Sequence, residues 1–397
     1  MGLSDKSEGQ QVEVSESMSL TVAVAVLLLV IGFPRVYGTE VPMAIFLIPF
    51  FLLGFVRYLA RKGTFTVLLL ILFGGWLVGG ALISLSGTSA DLFFHLVVSI
   101  KLLLNVFFGY VVYRVVKLRP NALLVWLALQ SVVILVSIFN QGFYNFLLGF
   151  ISPRSADVFQ HVFGLRGLGF GLFHIDGALT LIIAVFYFLL VTPAGFGKNI
   201  VLIMMFPVAM AVARSAIIPF SIFGAARKGI GFKAVLVLAV VAMIGLSFYV
   251  TEGPFYEATE VFRNLLSHGE LRSASVNSLA EMYALPSTVD TYLFGDGRYY
   301  SEDESELGFY MGTDVGYLRL LYFSGVGSVA VFLVLNTYFL FGVLLSGKYI
   351  GSKDIKIFAL SLLAVFFIIN FKGLQIMPLF AMAVYMYAEE KRHKQQA

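Results

Sequence analysis

LFGDGRYYSEDESELGFYMGTDVGYLRLLYFSGVG, residues 293–327, passes from a polar stretch into an apolar one. It holds a Gly-Asp-Gly turn at 295–297, the acidic run Glu302-Asp303-Glu304, the pair Thr313-Asp314, and Arg319 just inside an apolar run that continues to about 345. Polar chemistry set at the start of such a run reads as the mouth of a membrane domain, and the rest of the chain bears on that reading.

Hydrophobic residues make up 59% of the 397 and charged residues 13%, with a mean hydropathy of +0.91. A water-soluble chain of this size has too little polar surface to cover so much apolar area. Several apolar runs have the length of a bilayer crossing, and the alternation of a membrane barrel is missing. The fold class expected is an all-α polytopic membrane protein. Cysteine is absent, so no disulfide or thiolate metal site is expected. Residues 1–17 are polar and acidic. A cleavable signal would start basic, so the first apolar run reads as a retained helix.

Apolar spans are expected near 18–33, 42–59, 64–86, 92–113, 121–139, 176–193, 199–213, 215–226, 231–250, 316–345, 357–371 and 374–388. The short pairs flanking Arg214 and Lys372 leave room for a re-entrant member. Basic clusters at Arg57/Arg61/Lys62, Arg114/Lys117/Arg119, Lys198, Arg227/Lys228/Lys233, Lys348/Lys353/Lys356 and Lys391/Arg392/Lys394 all fall on one side if twelve spans separate two inside termini. By the positive-inside rule that side is the cytoplasm. The organisation expected is a cytoplasmic tail at 1–17 and five spans over 18–139. A first outer loop at 140–175 and four spans over 176–250 follow. A large outer loop at 251–313, three spans over 314–388 and a tail at 389–397 complete the chain.

Outside, the basic residues are Arg35, Arg154, Arg166, Arg214, Arg263, Arg272, Arg298, Arg319 and Lys372. Nearly all are arginine, the residue suited to bidentate recognition of phosphate, although selection for topology alone also depletes lysine there. The large loop carries eleven acids between Glu252 and Glu306. It reads as an amphipathic helix from Phe255 to Leu266 stopped by Gly269 and a second from about Ser275 to Leu285 stopped by Pro286. No internal repeat is visible.

In the first outer loop, glycines 164, 167, 169 and 171 surround Arg166, with His174 and Asp176 following. Glycines let a backbone approach an anion and aim its N–H groups at it; a plain glycine-rich turn is the other reading. Asp314 stands either as a base or as the cap of the helix beginning near Gly316, His174 as a base or a hydrogen-bonded loop residue, and the 295–297 turn as functional or simply tight. Lys101 sits mid-span, where an ammonium needs a partner or a polar cavity; Asn105 is one turn on and shares its face, and an acid such as Asp91 is a partner through helix contacts. No metal-ligand pattern appears: His95 and His161 are isolated, and consecutive acids such as 302–304 more often mark a solvated loop.

Arg166, ten residues, then Gly177 resembles the RX10G pattern of outer loops in Wzy-type O-antigen polymerases. Arg298 reaches Gly308 over nine residues, so a second copy is missing. Phe294-Gly295-Asp296-Gly297, Thr313-Asp314-Val315-Gly316-Tyr317 and Gly325-Val326-Gly327 resemble the closing region of polymerase and O-antigen ligase families, and Ala213-Arg214-Ser215 resembles their Ser-Arg kink. The resemblance implies a GT-C-like architecture in a bacterial inner membrane with its site facing the periplasm. It implies a glycosyltransferase that moves a glycan from undecaprenyl pyrophosphate onto the acceptor sugar of a new lipid-linked repeat unit. Arg166, Arg214, Arg298, Arg319 and Lys372 would hold the pyrophosphate, with Gly177 and Tyr317 beside them. Asp314, Asp176 and His174 are the candidate bases, with Asp314 favoured for its place at a helix start. No metal or other cofactor is expected. The partners implied are the lipid-linked donor and acceptor, the bilayer and a chain-length regulator, with no nucleic acid.

The ligase reading is disfavoured because His268 is followed by Gly269-Glu270 and Asn277-Ser278 has no preceding histidine. A lipid-linked oligosaccharide flippase would spread polarity through its spans, and a scaffold protein would need no arginine-rich outer loops.

Overall fold

The computed structural model describes residues 18–61, 92–192, 196–226, 259–270, 282–301, 309–346, 353–375 and 378–396, with isolated positions between 233 and 256. The expected span at 64–86, most of that at 231–250, residues 275–281 of the expected helix near 275–285, Arg272, Gly308 and the 302–304 acids lie outside the described residues, and residues 282–285 at that helix's expected end are not helical. Among the described residues the chain is all-helical, with only two isolated β-bridges, Arg35–Pro42 and Tyr300–Phe309.

In chain order the helices are α1 (Leu20–Val30), α2 (Ile48–Arg61, after a 3-10 turn at Met43–Leu47), α3 (Leu92–Leu118), α4 (Pro120–Phe139), α5 (Gln141–Leu148), α6 (Pro153–Phe159) and α7 (His174–Val191). They continue with α8 (Phe196–Val212), α9 (Ile217–Ala226), α10 (Glu260–His268), α11 (Val289–Phe294), α12 (Gly316–Ser346), α13 (Lys353–Ile369) and α14 (Pro378–Gln396). Among the described residues four stretches are long and apolar enough to cross a membrane: 43–61, 120–139, 174–191 and 316–344.

A helix apolar on every face belongs in the interior of a bundle. α7 meets that rule: 67% of it is buried, and it packs on α4, α8, α9 and α13. The 43–61 stretch is only 17% buried, with Phe50 80% exposed, as a lipid-facing helix would be. α7 is therefore the axis of the bundle, and His174 and Asp176 stand at its first turn.

The 140–175 stretch is more structured than a loop. Asn140 and Ser152 cap α5 and α6 with their side-chain oxygens, and Pro153 occupies the first turn of α6. Tyr144, Leu147, Ile151, Phe159 and Leu168 form a separate small core. Of the expected Phe255–Leu266 helix, the described part is α10, ending as read at Gly269 with φ 71°.

α12 is broken at Ser324 and Gly325. Gly325 has φ 69° and ψ −173°, a conformation open essentially to glycine alone. The end of α11 fits into the break: a Cβ on Gly325 would stand 2.1 Å from the Leu293 carbonyl oxygen. Carbonyls freed inside a membrane need new donors, and they have them. Asp296 N donates to Tyr322 O at 2.6 Å, and Ser328 Oγ lies 2.8 Å from both Leu320 O and Gly325 O, which share its single proton. Gly325→Ala is expected to cost about 1–3 kcal/mol from backbone conformation alone and to undock α11, visible as a lower thermal midpoint in detergent. Gly327→Ala, with open space around it, should leave the midpoint unchanged or raise it.

Lys101 is surface-exposed and shares the field of Arg35 and Glu40, residues of the α1–α2 connection. Those two charges give the Lys101 ammonium polar company in the tenth position of α3.

Candidate active site

Three interruptions of helix bring charged side chains to the start of α7. The first is the extended residue Ala213 (φ −156°, ψ 131°) between α8 and the 3-10 turn Arg214–Ala216, which presents Arg214. The second is the start of α12, which presents Asp314 and Arg319. The third is the α13–α14 turn, held by the fully buried Asn370: its Nδ2 donates to Phe366 O at 2.7 Å and its Oδ1 accepts from Gln375 N at 2.8 Å. That turn presents Lys372 and Gln375.

His174 and Asp176 are open to solvent although protein surrounds them densely. They therefore line a recess. Arg166, Lys372 and Arg319 act electrostatically on His174. Asp176 hydrogen-bonds the Gln375 side chain and lies in the field of Arg319. Arg214, Arg166 and Asp314 act on Lys372. Three cations from separate parts of the chain thus act on His174, one of them also on Asp176 and Asp314, and Arg214 joins the group through Lys372. Glu260 of α10 pairs with Arg214 at 3.4 Å from the loop side.

Arg319 is the most tightly held of the four, with its side chain 10% exposed. It donates to Asp314 Oδ1 at 3.0 Å and to the Asp314 carbonyl at 3.1 Å, and it hydrogen-bonds Tyr299. Its guanidinium lies 3.3 Å from the Phe309 ring centroid, a cation–π stack. Its Nε is buried without a hydrogen-bond acceptor among the described residues. Burial holds the Tyr299 hydroxyl above the usual phenol range, with Arg319 pulling the other way, so Tyr299 is a neutral hydroxyl here. His174 adopts a left-handed backbone (φ 52°), a conformation strained for a residue with a Cβ, and its ring packs 6.0 Å from Phe159.

Several expected roles change on these contacts. Over residues 167–170 the glycine-rich loop does not offer its N–H groups to an anion. Gly167 N donates to Ala211 O and Gly169 N to Leu172 O; Leu168 N donates to Ser137 Oγ and Phe170 N to Gln130 Oε1. A Cβ on Gly167 would meet Ile134 at 2.8 Å, and one on Gly169 would meet Gln130 at 2.8 Å. These glycines let the loop lie against α4 and so place Arg166. Gly177 is likewise a packing residue, its Cβ position 2.9 Å from the Leu172 backbone. Tyr317 points to α13, donating to Phe367 O at 2.9 Å. Arg298 stands over the Tyr310 ring at 5.8 Å and is not among the charges acting on His174, Asp176 or Lys372. Asp314 makes no cap: Thr313 Oγ1 accepts from Val315 N at 3.2 Å, while Asp314 serves Arg319. The 295–297 turn is held internally, Thr291 Oγ1 donating to Asp296 Oδ1 at 2.7 Å.

Tyr299, Phe309 and Gln375 are site residues that spacing missed. Only Gln375 left a signal, as an amide inside an apolar run three residues after Lys372.

Burial, then Arg214 and Arg166, lower the Lys372 pKa, with Asp314 opposing. Between that lowered value and the ordinary lysine range the unfolded chain binds the extra proton, so stability rises with pH through that window. Lys372→Met is expected to raise the thermal midpoint at neutral pH and to flatten this rise while weakening anion binding. Unfolding midpoints across pH 7–10 for both proteins check it.

Among the described residues no three His, Asp or Glu side chains come together. No protein-family model, curated protein or solved structure matches the chain.

Proposed function

We propose that the chain is a glycosyltransferase of the polysaccharide-polymerase kind, acting on undecaprenyl-pyrophosphate-linked glycans at the outer face of a bacterial inner membrane. One observation carries this reading: at one end of the central helix Arg166, Lys372 and Arg319 act on His174, Arg319 also acts on Asp176, and Arg214 stands behind them in the field of Lys372. The departure of a lipid pyrophosphate needs positive charge around the oxygens that gain it. Lys372 and Arg319 serve that role, with Arg166 and Arg214 completing the ring.

Asp176 is the base. It accepts the proton of the acceptor hydroxyl as that oxygen bonds to the donor's anomeric carbon. The bond from that carbon to the pyrophosphate oxygen breaks, and undecaprenyl pyrophosphate leaves with the electron pair. Asp314 holds Arg319 in place. Tyr299 and Gln375 orient Arg319 and Asp176. The twelve-span, GT-C-like arrangement and a chain-length regulator as partner belong to the same proposal.

Purified protein incubated with a synthetic lipid-pyrophosphate repeat unit, with and without EDTA, tests it. A ladder of products on a gel in both arms supports a polymerase that needs no divalent ion; a ladder only without EDTA supports a metal-assisted one. Absence of any ladder with the matched repeat unit sinks the proposal in favour of the ligase or flippase readings.

A further inference from the structure

α7 has a second end. About 25 Å from His174, at 1.5 Å per residue, a cavity of about 220 Å³ opens between α3, α7 and α14. Tyr113 and Lys117 of α3, Tyr187 of α7, and Glu390, Lys391 and Lys394 of α14 line it. Glu390 accepts from Tyr113 Oη at 2.5 Å and pairs with Lys117 and Lys394, each at 3.0 Å. Three ammonium groups against one carboxylate leave the lining two charges positive. Lys391 stands 5.6 Å from the Tyr387 ring and is not among the ion pairs of Glu390. Arg114 and Arg119 lie at the same end of α3.

The cavity sits where α3 and α7 end and where α14 passes from apolar residues to Glu389–Lys394. On the proposed reading of the spans that is the membrane boundary opposite the candidate active site. Its walls combine apolar surface (Val116, Val191, Pro120) with tyrosine rings and a cationic rim. Its volume is many times the roughly 10–15 Å³ that one water needs on the same measure. A wall apolar towards the bilayer and cationic towards water matches a lipid headgroup better than a free anion. Basic pockets between helices on the cytoplasmic side bind such headgroups.

We propose that this cavity binds the phosphate of an anionic phospholipid in the leaflet opposite the active site. Lys391 and Lys394 make the ionic contacts, Lys117 stays fixed by Glu390, and the tyrosine rings pack on the glycerol region. The full-length protein in neutral detergent is titrated with phosphatidylglycerol, phosphatidylcholine or inorganic phosphate, and the thermal midpoint is followed. Phosphatidylglycerol should raise the midpoint saturably and phosphatidylcholine should not. In Lys391→Gln/Lys394→Gln the apparent Kd should rise about thirtyfold, two lysine contacts at roughly 1 kcal/mol each converted at 1.4 kcal/mol per tenfold. Arg57→Gln, outside the lining, should bind like the parent and controls for general charge loss. An equal response to phosphatidylcholine, or an unchanged Kd in the double variant, overturns the site. A full shift with inorganic phosphate alone, lost in the double variant, overturns the lipid as the source of the phosphate.

Discussion

Arg319→Ala is expected to reduce ladder formation by about 10²–10³-fold, the usual loss when one preorganised donor is taken from a developing anion. The same change should destabilise the protein. Arg319 is held at once by Asp314, by Tyr299 and by the face of Phe309. Breaking a buried ion pair by removing one partner costs about 3–5 kcal/mol. Asp314 is 48% exposed and regains water, so the loss here should be nearer 2 kcal/mol. Arg319→Lys separates the two effects. A lysine keeps the charge but has no planar fork to satisfy Asp314, Tyr299 and a ring stack together. It should recover part of the stability and little of the activity. Ladder assays and unfolding midpoints on the three proteins check this; full activity in Arg319→Ala would remove Arg319 from the pyrophosphate site.

Asp176→Asn is expected to be the most damaging change that leaves the fold intact. An asparagine keeps an oxygen to accept from the Gln375 side chain and nearly the same volume, so the thermal midpoint should barely move. It has no basic oxygen to take a proton from the acceptor hydroxyl. General-base loss typically costs 10²–10⁴-fold, and we expect a fall of about that size in turnover with little change in apparent affinity. Asp314→Asn is the informative companion. Asp314 is half-exposed and already bonded to Arg319, so its asparagine variant should lose some stability and only a fraction of activity. Were Asp314→Asn the dead variant and Asp176→Asn the active one, the assignment of the base would reverse.

That assignment shows how far reading along the chain can go. Asp314 and Asp176 both stand by the start of a membrane helix, and nothing in spacing separates them. The structure does so through a residue five positions on: Arg319 returns one turn of helix to bind Asp314, while Asp176 faces Gln375 from a turn 199 residues away. The glycines around Arg166 were equally ambiguous. Their N–H groups look available for an anion until α4 and the end of α8 are seen to accept them or sit against them. Tyr299 and Phe309 gave no sign at all, because an aromatic in an aromatic-rich loop looks like every other.

What the sequence alone determined was the all-helical, apolar class, the four stretches long and apolar enough to cross a membrane among the described residues, the interruptions at Ala213 and around Lys372, and the list of charges from which a site had to be drawn; the break at Ser324–Gly325 came from the structure. Hydropathy and helix breakers act locally, each residue contributing to the transfer of its own segment into lipid, so they can be summed along the chain. Which charges meet was decided by tertiary structure. Arg166 and Lys372 are 206 residues apart, and their proximity follows from how α4, α7, α12 and α13 pack, a sum over side-chain contacts between segments that share no local pattern. The same packing decided that α7 is the axis, with one end open towards a ring of cations and the other towards a cavity lined by lysine and tyrosine.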